Sequence, residues 1–211
     1  MFPRFLQAWA RRTAEMIVMP LARRGVTPNA VTIAGFVFNV VTAGVIARGH
    51  LSTGGALLFL AGLFDMLDGA LARVTSRQTD FGAFLDSLLD RYSEAAILLA
   101  LIFQFTIRHE VATVLLVYVV AMGSILISYA RARAEGLGLE AKVGIAPRPE
   151  RVLILGLGLL FVERTTIAAL VILAVLTHLT AMQRLYSVWN QTRQDGKTKK
   201  PSRDTAETQA T

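Results

Sequence analysis

Residues 65–90 read DMLDGALARVTSRQTDFGAFLDSLLD, and they place four aspartates, Asp65, Asp68, Asp86 and Asp90, inside apolar segments of the chain. A carboxylate at the centre of a bilayer costs roughly 2.5–3.5 kcal/mol on insertion scales, so four of them require a compensating interaction. Asp65 and Asp68 are about one helical turn apart, as are Asp86 and Asp90, so each pair lies on one face of its own helix. The stretch therefore predicts two helices with acidic faces.

The two acidic faces are expected to meet in an antiparallel hairpin, because only a short loop separates the two apolar segments. With a rise of about 1.5 Å per residue, Asp68 and Asp86 lie about 9 Å from that loop, and Asp65 and Asp90 lie about 14 Å from it. This geometry predicts that the four carboxylates converge between the two helices.

Four converging carboxylates cannot all remain charged without a cation nearby, and two divalent ions would neutralise them. Hard oxygen ligands favour Mg²⁺ or Mn²⁺, or Ca²⁺, over zinc. Two such ions a few ångströms apart form the clamp that is used for phosphoryl displacement. The alternative is that the carboxylates pair with Arg73 and Arg91 alone, which would leave two aspartates uncompensated. We therefore expect a metal site formed by all four aspartates.

The composition of the 211-residue chain is typical of a membrane protein with several spans. Hydrophobic residues make up 54% of the chain and the mean hydropathy is +0.50, above the usual values for a soluble domain. The chain contains no cysteine, which excludes disulfides, thiolate nucleophiles and cysteine-ligated metal sites. The formal net charge is +7, but no basic stripe is interleaved with aromatic residues, so the charge favours loops that face anionic lipid over a nucleic-acid partner.

Apolar stretches of roughly 20 residues, the length that crosses the hydrocarbon core of a bilayer, recur through the chain. We expect an all-α integral membrane protein with six transmembrane helices. The predicted helices are 29–48, 53–74, 81–107, 111–134, 148–163 and 165–189. Most Lys and Arg residues fall on the side of the two termini, and Arg48, Arg108 and Arg164 fall on the other. This asymmetry predicts a multi-pass protein of the cell membrane whose termini and active site are cytoplasmic.

The chain is expected to divide into three segments. Residues 1–28 mix apolar residues with arginines, which is typical of an amphipathic helix in the membrane interface; the alternative is an unstructured basic arm. Residues 29–189 are predicted to form the six-helix membrane domain. Residues 190–211 are polar and charged, so we expect a disordered cytoplasmic tail.

The stretch 65–90 also resembles the signature of the CDP-alcohol phosphotransferases, D-x-x-D-G-x-x-A-R, eight residues, then G-x-x-x-D-x-x-x-D. Each specified position is matched. The matching residues are Asp65, Asp68, Gly69, Ala72, Arg73, Gly82, Asp86 and Asp90. The resemblance implies an enzyme that transfers the phosphate-linked group of a CDP-alcohol to another alcohol and releases CMP. It further implies Mg²⁺ or Mn²⁺ as cofactor, with two ions expected, and a homodimer.

The resemblance also implies roles for individual residues. The four aspartates would bind the metal, and Asp90 would in addition take the proton of the attacking hydroxyl as general base. The segment Thr27-Pro28-Asn29-x-x-Thr32 is similar to a segment that lies against the nucleotide in this family, although an ordinary helix cap explains it equally well. The residues expected to bind the CDP-lipid are Pro28, Asn29, Thr32, Asp68, Gly69, Ala72, Arg73 and Gly82.

A second stretch, SYARARAEGLGLEAKVGIAPRPERV at 128–152, carries a cluster of basic residues. Arginine forks bind phosphate oxygens in two places at once, so the cluster favours an acceptor that bears its own phosphate. The part KVGIAPRPER resembles the stretch VGIAERAER of the phosphatidylinositol-phosphate synthases in the family, from which it departs at Pro147 and Pro149. The residues expected to hold the acceptor phosphate are Ser128, Arg131, Arg148, Arg151 and Arg184.

The predicted function is transfer of the phosphatidyl group of CDP-diacylglycerol to inositol 1-phosphate. The alternative within the family is a phosphatidylglycerophosphate synthase, which uses glycerol 3-phosphate and usually carries a G-K-x-K-T segment that is not found in this region. The alternative from another class is a metal-ion transporter, in which intramembrane aspartates line the ion path. Such a path needs polar groups at several depths, whereas these aspartates gather towards one end of their helices.

Overall fold

The computed structural model describes residues 16–161 and 163–198, with side chains described as far as Arg193. This part of the chain forms seven α-helices and contains no β-strand. The first, α1, comprises 16–23 of the described residues. The others are α2 (Pro28–Ala47), α3 (Leu51–Val74), α4 (Asp80–Ile107), α5 (Val111–Glu135), α6 (Arg148–Leu160) and α7 (Glu163–Thr198). The prediction of an all-α chain is confirmed.

Two threonines cap the N-termini of α2 and α4. The Thr27 hydroxyl accepts a hydrogen bond from the Ala30 N–H at 3.3 Å, and Pro28 follows as the first helical residue. The Thr79 hydroxyl accepts a hydrogen bond from the Gly82 N–H at 3.0 Å. These caps satisfy N–H groups that have no partner within the helix. They define the two helix ends that border the aspartates.

Six of the helices form a closed ring, in which each of α2 to α7 packs against two neighbours. The order around the ring is α2, α3, α6, α7, α5, α4 and back to α2. Within the described residues, α3 and α4 both pack on α2 but do not pack against each other along their length. The predicted hairpin is therefore wrong in this respect: the short loop at 75–79 joins the two helices, but they do not pack together along their length. Close packing of α2 on α3 requires Gly35, since a Cβ there would lie 2.9 Å from the Phe64 Cβ.

Among the described residues, four helices are long and apolar enough to cross a membrane, namely α2, α3, α5 and α7. α4 is long enough, but several charged residues occupy its first half. α6 has 13 residues, which rise about 20 Å and fall short of a hydrocarbon core of about 30 Å. The structure thus supports a membrane protein with four spans by length and composition, and the prediction of six is not confirmed.

α6 begins inside the ring, not at its end. Its first residue, Arg148, contacts Asp65, which lies nine residues before Val74 at the end of α3. This position is about 14 Å along α3 from the α3–α4 loop. The loop at 136–147 therefore brings the side chain of the first residue of α6 to the level of the aspartates.

The turn between α6 and α7 is held by two hydroxyls. α6 ends at Leu160, before its predicted end, because Phe161 has a ψ of −116° that is not helical. The hydroxyls of Thr165 and Thr166 donate to the Gly158 carbonyl oxygen at 2.9 and 3.0 Å. These hydrogen bonds satisfy a carbonyl in the last turn of α6 and direct α7 back along it.

α7 is longer than the sequence predicts. It continues to Thr198, so the prediction of a disordered tail is wrong for 190–198. The Gln191 side chain accepts a hydrogen bond from the Glu140 N–H at 3.0 Å and donates one to the Glu140 carbonyl oxygen at 2.6 Å. These two bonds attach the extension of α7 to the α5–α6 loop. The remaining tail, 199–211, lies outside the described residues.

The described part of the N-terminal segment is helical and attached to the ring. Val18 is completely buried against Val31 of α2 and Leu71 of α3, whereas Met16 is 68% exposed. This one-sided burial is the pattern of an amphipathic helix, and the alternative of an unstructured arm is wrong for these residues. Residues 1–15, the rest of the predicted interfacial segment apart from those described, lie outside the described part of the chain.

Candidate active site

The four aspartates lie towards one end of the ring, where α3 and α4 are joined. Asp65 and Asp68 belong to α3, and Asp86 and Asp90 belong to α4. Asp86 is close enough for its charge to interact with the charges of the other three. The predicted convergence therefore occurs even though the two helices do not pack along their length.

α2 contributes directly to this aspartate cluster through Thr32. The Thr32 hydroxyl donates a hydrogen bond to Asp68 Oδ2 at 2.9 Å, and Asp68 is only 7% exposed. The same hydroxyl lies 3.1 Å from the Pro28 carbonyl oxygen, so its single proton is shared between two acceptors. Hydrogen bonds of this kind orient carboxylates that act as metal ligands. Thr32 therefore holds Asp68 in position.

Arg148, the first residue of α6, bridges the carboxylates of the two helices. Its Nη1 lies 2.9 Å from Asp90 Oδ1 and also donates to Asp65 Oδ2. Arg91 lies farther away, 3.8 Å from Asp90 Oδ2, and Arg73 forms no ion pair with the cluster in the described structure. The alternative that Arg73 and Arg91 alone neutralise the aspartates is thus wrong. The closest guanidinium comes from a residue that the sequence assigned to the acceptor phosphate.

The donor set fits divalent ions that prefer oxygen ligands. Arg148 and the more distant Arg91 offset at most two of the four carboxylate charges, so the cluster keeps an excess of negative charge. Carboxylate oxygens match Mg²⁺ and Mn²⁺. As the side chains stand, no three acidic or histidine residues in the described part of the chain are grouped closely enough to enclose an ion. In this arrangement the Arg148 guanidinium lies between Asp65 and Asp90.

A first cavity, of about 250 Å³, opens beside the cluster between α2, α3 and α4. Seven of the eight residues predicted to bind the CDP-lipid line this cavity, and Arg73 is the exception. A side chain at Gly82 would fill part of it, because a Cβ there would lie 3.0 Å from both Asn29 Oδ1 and Thr79 Oγ1. We call this the nucleotide cavity.

Four residues that were not predicted to bind the CDP-lipid also line the nucleotide cavity, namely Arg77, Gln78, Thr79 and Ala83. Three of them belong to the α3–α4 loop, within the part of the signature that specifies no residue type. Their position in the sequence could have indicated them, because a loop that joins two helices carrying metal ligands borders the metal site. Arg77 adds a cation to a cavity that is otherwise acidic.

A second cavity, of about 80 Å³, is lined by Asp90 and by arginines from α5, α6 and α7. All five residues predicted to bind the acceptor phosphate line it: Ser128, Arg131, Arg148, Arg151 and Arg184. The closed ring brings them together from distant parts of the sequence. We call this the acceptor cavity.

The arginines of the acceptor cavity are held in place by other protein groups. Arg184 donates to the carbonyl oxygens of Ile127 at 2.6 Å and Val143 at 3.0 Å. Arg131 donates to Glu135 at 2.8 Å. A guanidinium that is already fixed loses little freedom when it binds an anion. The acceptor cavity is therefore preorganised for a negatively charged group.

Residues 25–183 match the family described as CDP-alcohol phosphatidyltransferase. The chain belongs to this family. The match includes all four aspartates and every helix from α2 to α6. The resemblance drawn from the aspartate signature is confirmed, and so is the prediction of a transferase in preference to a metal-ion transporter.

This transferase is similar over most of its length to two curated relatives. It is 39% identical to the archaetidylinositol phosphate synthase of Methanothermobacter thermautotrophicus over 191 residues, which cover 86% of this chain and 93% of the relative. It is 37% identical to the phosphatidylinositol phosphate synthase of Mycobacteroides abscessus over 190 residues, which cover 85% of this chain and 86% of the relative.

Two crystal structures of the Mycobacterium tuberculosis phosphatidylinositol phosphate synthase share the fold. The structure with CDP-DAG bound has a TM-score of 0.80 at 34% identity and covers 84% of this chain and 94% of that chain. The structure in complex with manganese and citrate has a TM-score of 0.79 at 34% identity and covers 83% and 88%.

Proposed function

We propose that this transferase moves the phosphatidyl group of CDP-diacylglycerol to inositol 1-phosphate, giving phosphatidylinositol phosphate and CMP. One observation carries the proposal: the nucleotide cavity and the acceptor cavity meet at a single turn of α4. Asp86 lines the first and Asp90 lines the second. Four residues of helix separate them by about 6 Å along the axis. A donor phosphate and an acceptor hydroxyl can therefore reach neighbouring carboxylates.

The nucleotide cavity would bind the CDP part of the donor. Gly82 leaves room for the nucleotide, Asn29 presents an amide, and Arg77 provides a cation for the pyrophosphate. When bound to the aspartates, Mg²⁺ or Mn²⁺ would neutralise the pyrophosphate and polarise its phosphorus–oxygen bonds. We expect two ions, held by Asp65, Asp68, Asp86 and Asp90. Thr32 would keep Asp68 oriented for this task.

The acceptor cavity would bind the phosphate of the second substrate. Arg148 contacts Asp90 at 2.9 Å, so a phosphate bound to this arginine brings the rest of the acceptor close to the carboxylate. Asp90 would then take the proton of the attacking hydroxyl. The acceptor oxygen bonds to the β-phosphorus of the CDP-lipid, the bond from that phosphorus to the bridging oxygen breaks, and CMP leaves with this oxygen.

The choice of acceptor is supported by the relatives. The curated relatives and the solved structures described above are named for the synthesis of inositol phosphate lipids. The preorganised arginines suit an acceptor that carries a phosphate, as inositol 1-phosphate does. Two further parts of the proposal are the cytoplasmic position of both termini and the active site, which rests on the distribution of Lys and Arg, and a homodimer, which rests on the family resemblance.

The test is to measure CMP release by the purified protein from CDP-diacylglycerol with Mg²⁺ or Mn²⁺. Inositol 1-phosphate, free inositol, glycerol 3-phosphate and serine are offered separately. We expect the fastest turnover with inositol 1-phosphate and none without divalent metal. Faster turnover with glycerol 3-phosphate would show that the protein is a phosphatidylglycerophosphate synthase, and equal turnover with free inositol would show that the arginines do not select for phosphate.

A further inference from the structure

Glu94 is a largely enclosed acid that the aspartate signature does not include. It lies on α4 one turn beyond Asp90, and its side chain is 17% exposed. Both of its carboxylate oxygens accept hydrogen bonds from Arg151, from Nε at 2.8 Å and from Nη2 at 2.8 Å. Glu94 lines the acceptor cavity together with Arg151 and Arg148. It also lines a smaller cavity of about 30 Å³ farther inside the ring, again with these two arginines.

The geometry of Arg151 shows which of its donors remain available. A guanidinium has a side edge formed by Nε and Nη2 and an end edge formed by Nη1 and Nη2. Glu94 occupies the whole side edge, and the Ala146 carbonyl oxygen accepts from Nη1 at 3.2 Å. One N–H on Nη1 and one on Nη2 are then left. The N–H left on Nη2 lies on the end edge, which is the fork at which a guanidinium binds two oxygens of one phosphate.

Glu94 also acts on the second arginine of α6. Its charge interacts with that of Arg148, whose Nη1 already contacts Asp65 and Asp90. Carboxylates of α3 and α4 thus hold both arginines of the first turn of α6 in place. Because Arg151 is only 4% exposed, its guanidinium cannot turn freely towards solvent when a ligand arrives.

We propose that Glu94 is a positioning residue for the acceptor: by binding the side edge of Arg151, it presents the end edge of that guanidinium to the acceptor phosphate. The inference rests on the proposed function of the acceptor cavity. It differs from a purely structural role for the Glu94–Arg151 pair, because it predicts a selective effect on phosphate binding. A carboxylate is required, since the amide of a glutamine would set an N–H group against one of the N–H groups of Arg151.

The experiment compares Glu94→Gln and Glu94→Asp with the unmodified protein, using two binding probes that do not depend on turnover. The probes are inorganic phosphate and CDP-diacylglycerol, and their affinities are measured by calorimetry in detergent. Glu94→Gln should weaken phosphate binding by about tenfold or more, as loss of a hydrogen bond between charged groups does, with the affinity for CDP-diacylglycerol unchanged. Glu94→Asp keeps the charge and should recover most of the phosphate affinity.

Glu163→Gln is the matched control, because it removes another arginine–glutamate ion pair, with Arg108, at the opposite end of α4. It should leave the affinity for both probes unchanged. Equal affinity of Glu94→Gln and the unmodified protein for phosphate would overturn the inference. Equal loss of both affinities, with a lower unfolding temperature, would also overturn it, because that result indicates a general structural role. If the proposed acceptor is wrong, the result is different: phosphate binding still depends on Glu94, but inositol 1-phosphate does not cause release of CMP from CDP-diacylglycerol.

Discussion

Replacing Thr32 with valine tests whether Asp68 is oriented to bind a metal ion. The substitution keeps the shape of the side chain and removes the hydroxyl that donates to Asp68 Oδ2 at 2.9 Å. A hydrogen bond to a charged group contributes about 1.5–3 kcal/mol. Loss of a hydrogen bond that orients a metal ligand weakens metal binding by about 10- to 100-fold. Because the hydroxyl is also 3.1 Å from the Pro28 carbonyl oxygen and shares its proton, we expect the lower end of this range, about tenfold.

The assay is titration of the purified protein with Mn²⁺, with free Mn²⁺ followed by its electron paramagnetic resonance signal. Thr42→Val is the matched control, because Thr42 is a fully buried residue of the same helix whose hydroxyl donates at 2.9 Å to the Phe38 carbonyl oxygen. It should leave Mn²⁺ affinity unchanged. If Thr32→Val binds Mn²⁺ as tightly as the unmodified protein, the Thr32 hydroxyl does not orient Asp68 for metal binding, and the reasoning is refuted.

Three further substitutions test the site and its surroundings. Asp90→Asn should remain folded while the rate of CMP release falls by about 10²- to 10⁴-fold, and substantial remaining turnover would remove Asp90 as the base. Gly82→Val should raise the KM for CDP-diacylglycerol, since even a Cβ there lies 3.0 Å from two polar atoms, whereas Gly62→Ala, with nothing within 4 Å of its Cβ, should not. Arg151→Ala leaves a buried carboxylate unpaired and should lower the free energy of unfolding by about 3–5 kcal/mol in thermal denaturation. Arg131→Ala, which breaks an exposed pair, should lower the free energy of unfolding by about 1 kcal/mol or less. If the two substitutions lowered it by similar amounts, the Arg151–Glu94 pair would not be shielded from solvent as the structure indicates.

The parts of this fold that sequence analysis predicted well depend on local patterns. The predicted loop between Val74 and Asp80 separates α3 from α4 as it does in the structure, because the end of one apolar segment and the start of the next are visible within a few residues. Helical spacing also placed the aspartates of each pair on one face. The residues of α3 and α4 in the nucleotide cavity were predictable for the same reason, since the family signature specifies them by their spacing, whereas those of the acceptor cavity came from a basic stretch outside the signature and from Arg184.

The features that were missed depend on contacts between distant segments. No local pattern shows that α2 packs on both α3 and α4, because such packing depends on contacts between distant residues, such as that of Gly35 with Phe64. The extension of α7 past residue 189 was missed for a similar reason. Its polar residues favour disorder when they are taken alone, but Gln191 pairs with the backbone of Glu140, fifty-one positions earlier. Sequence periodicity carries no information about such a pair.

The two prolines that depart from the usual family pattern are compatible with the acceptor site. Pro147 is the N-cap of α6, with φ −62° and ψ 171°, and Pro149 is its second residue. Backbone N–H groups in the first turn have no partner within the helix, so a proline there loses no hydrogen bond and its fixed φ favours the helix start. The Pro147 carbonyl oxygen accepts the first backbone hydrogen bond of α6, from the Arg151 N–H at 3.3 Å. The prolines therefore stiffen the point at which the chain turns inside the ring, and they leave Arg148 and Arg151 facing the acceptor cavity.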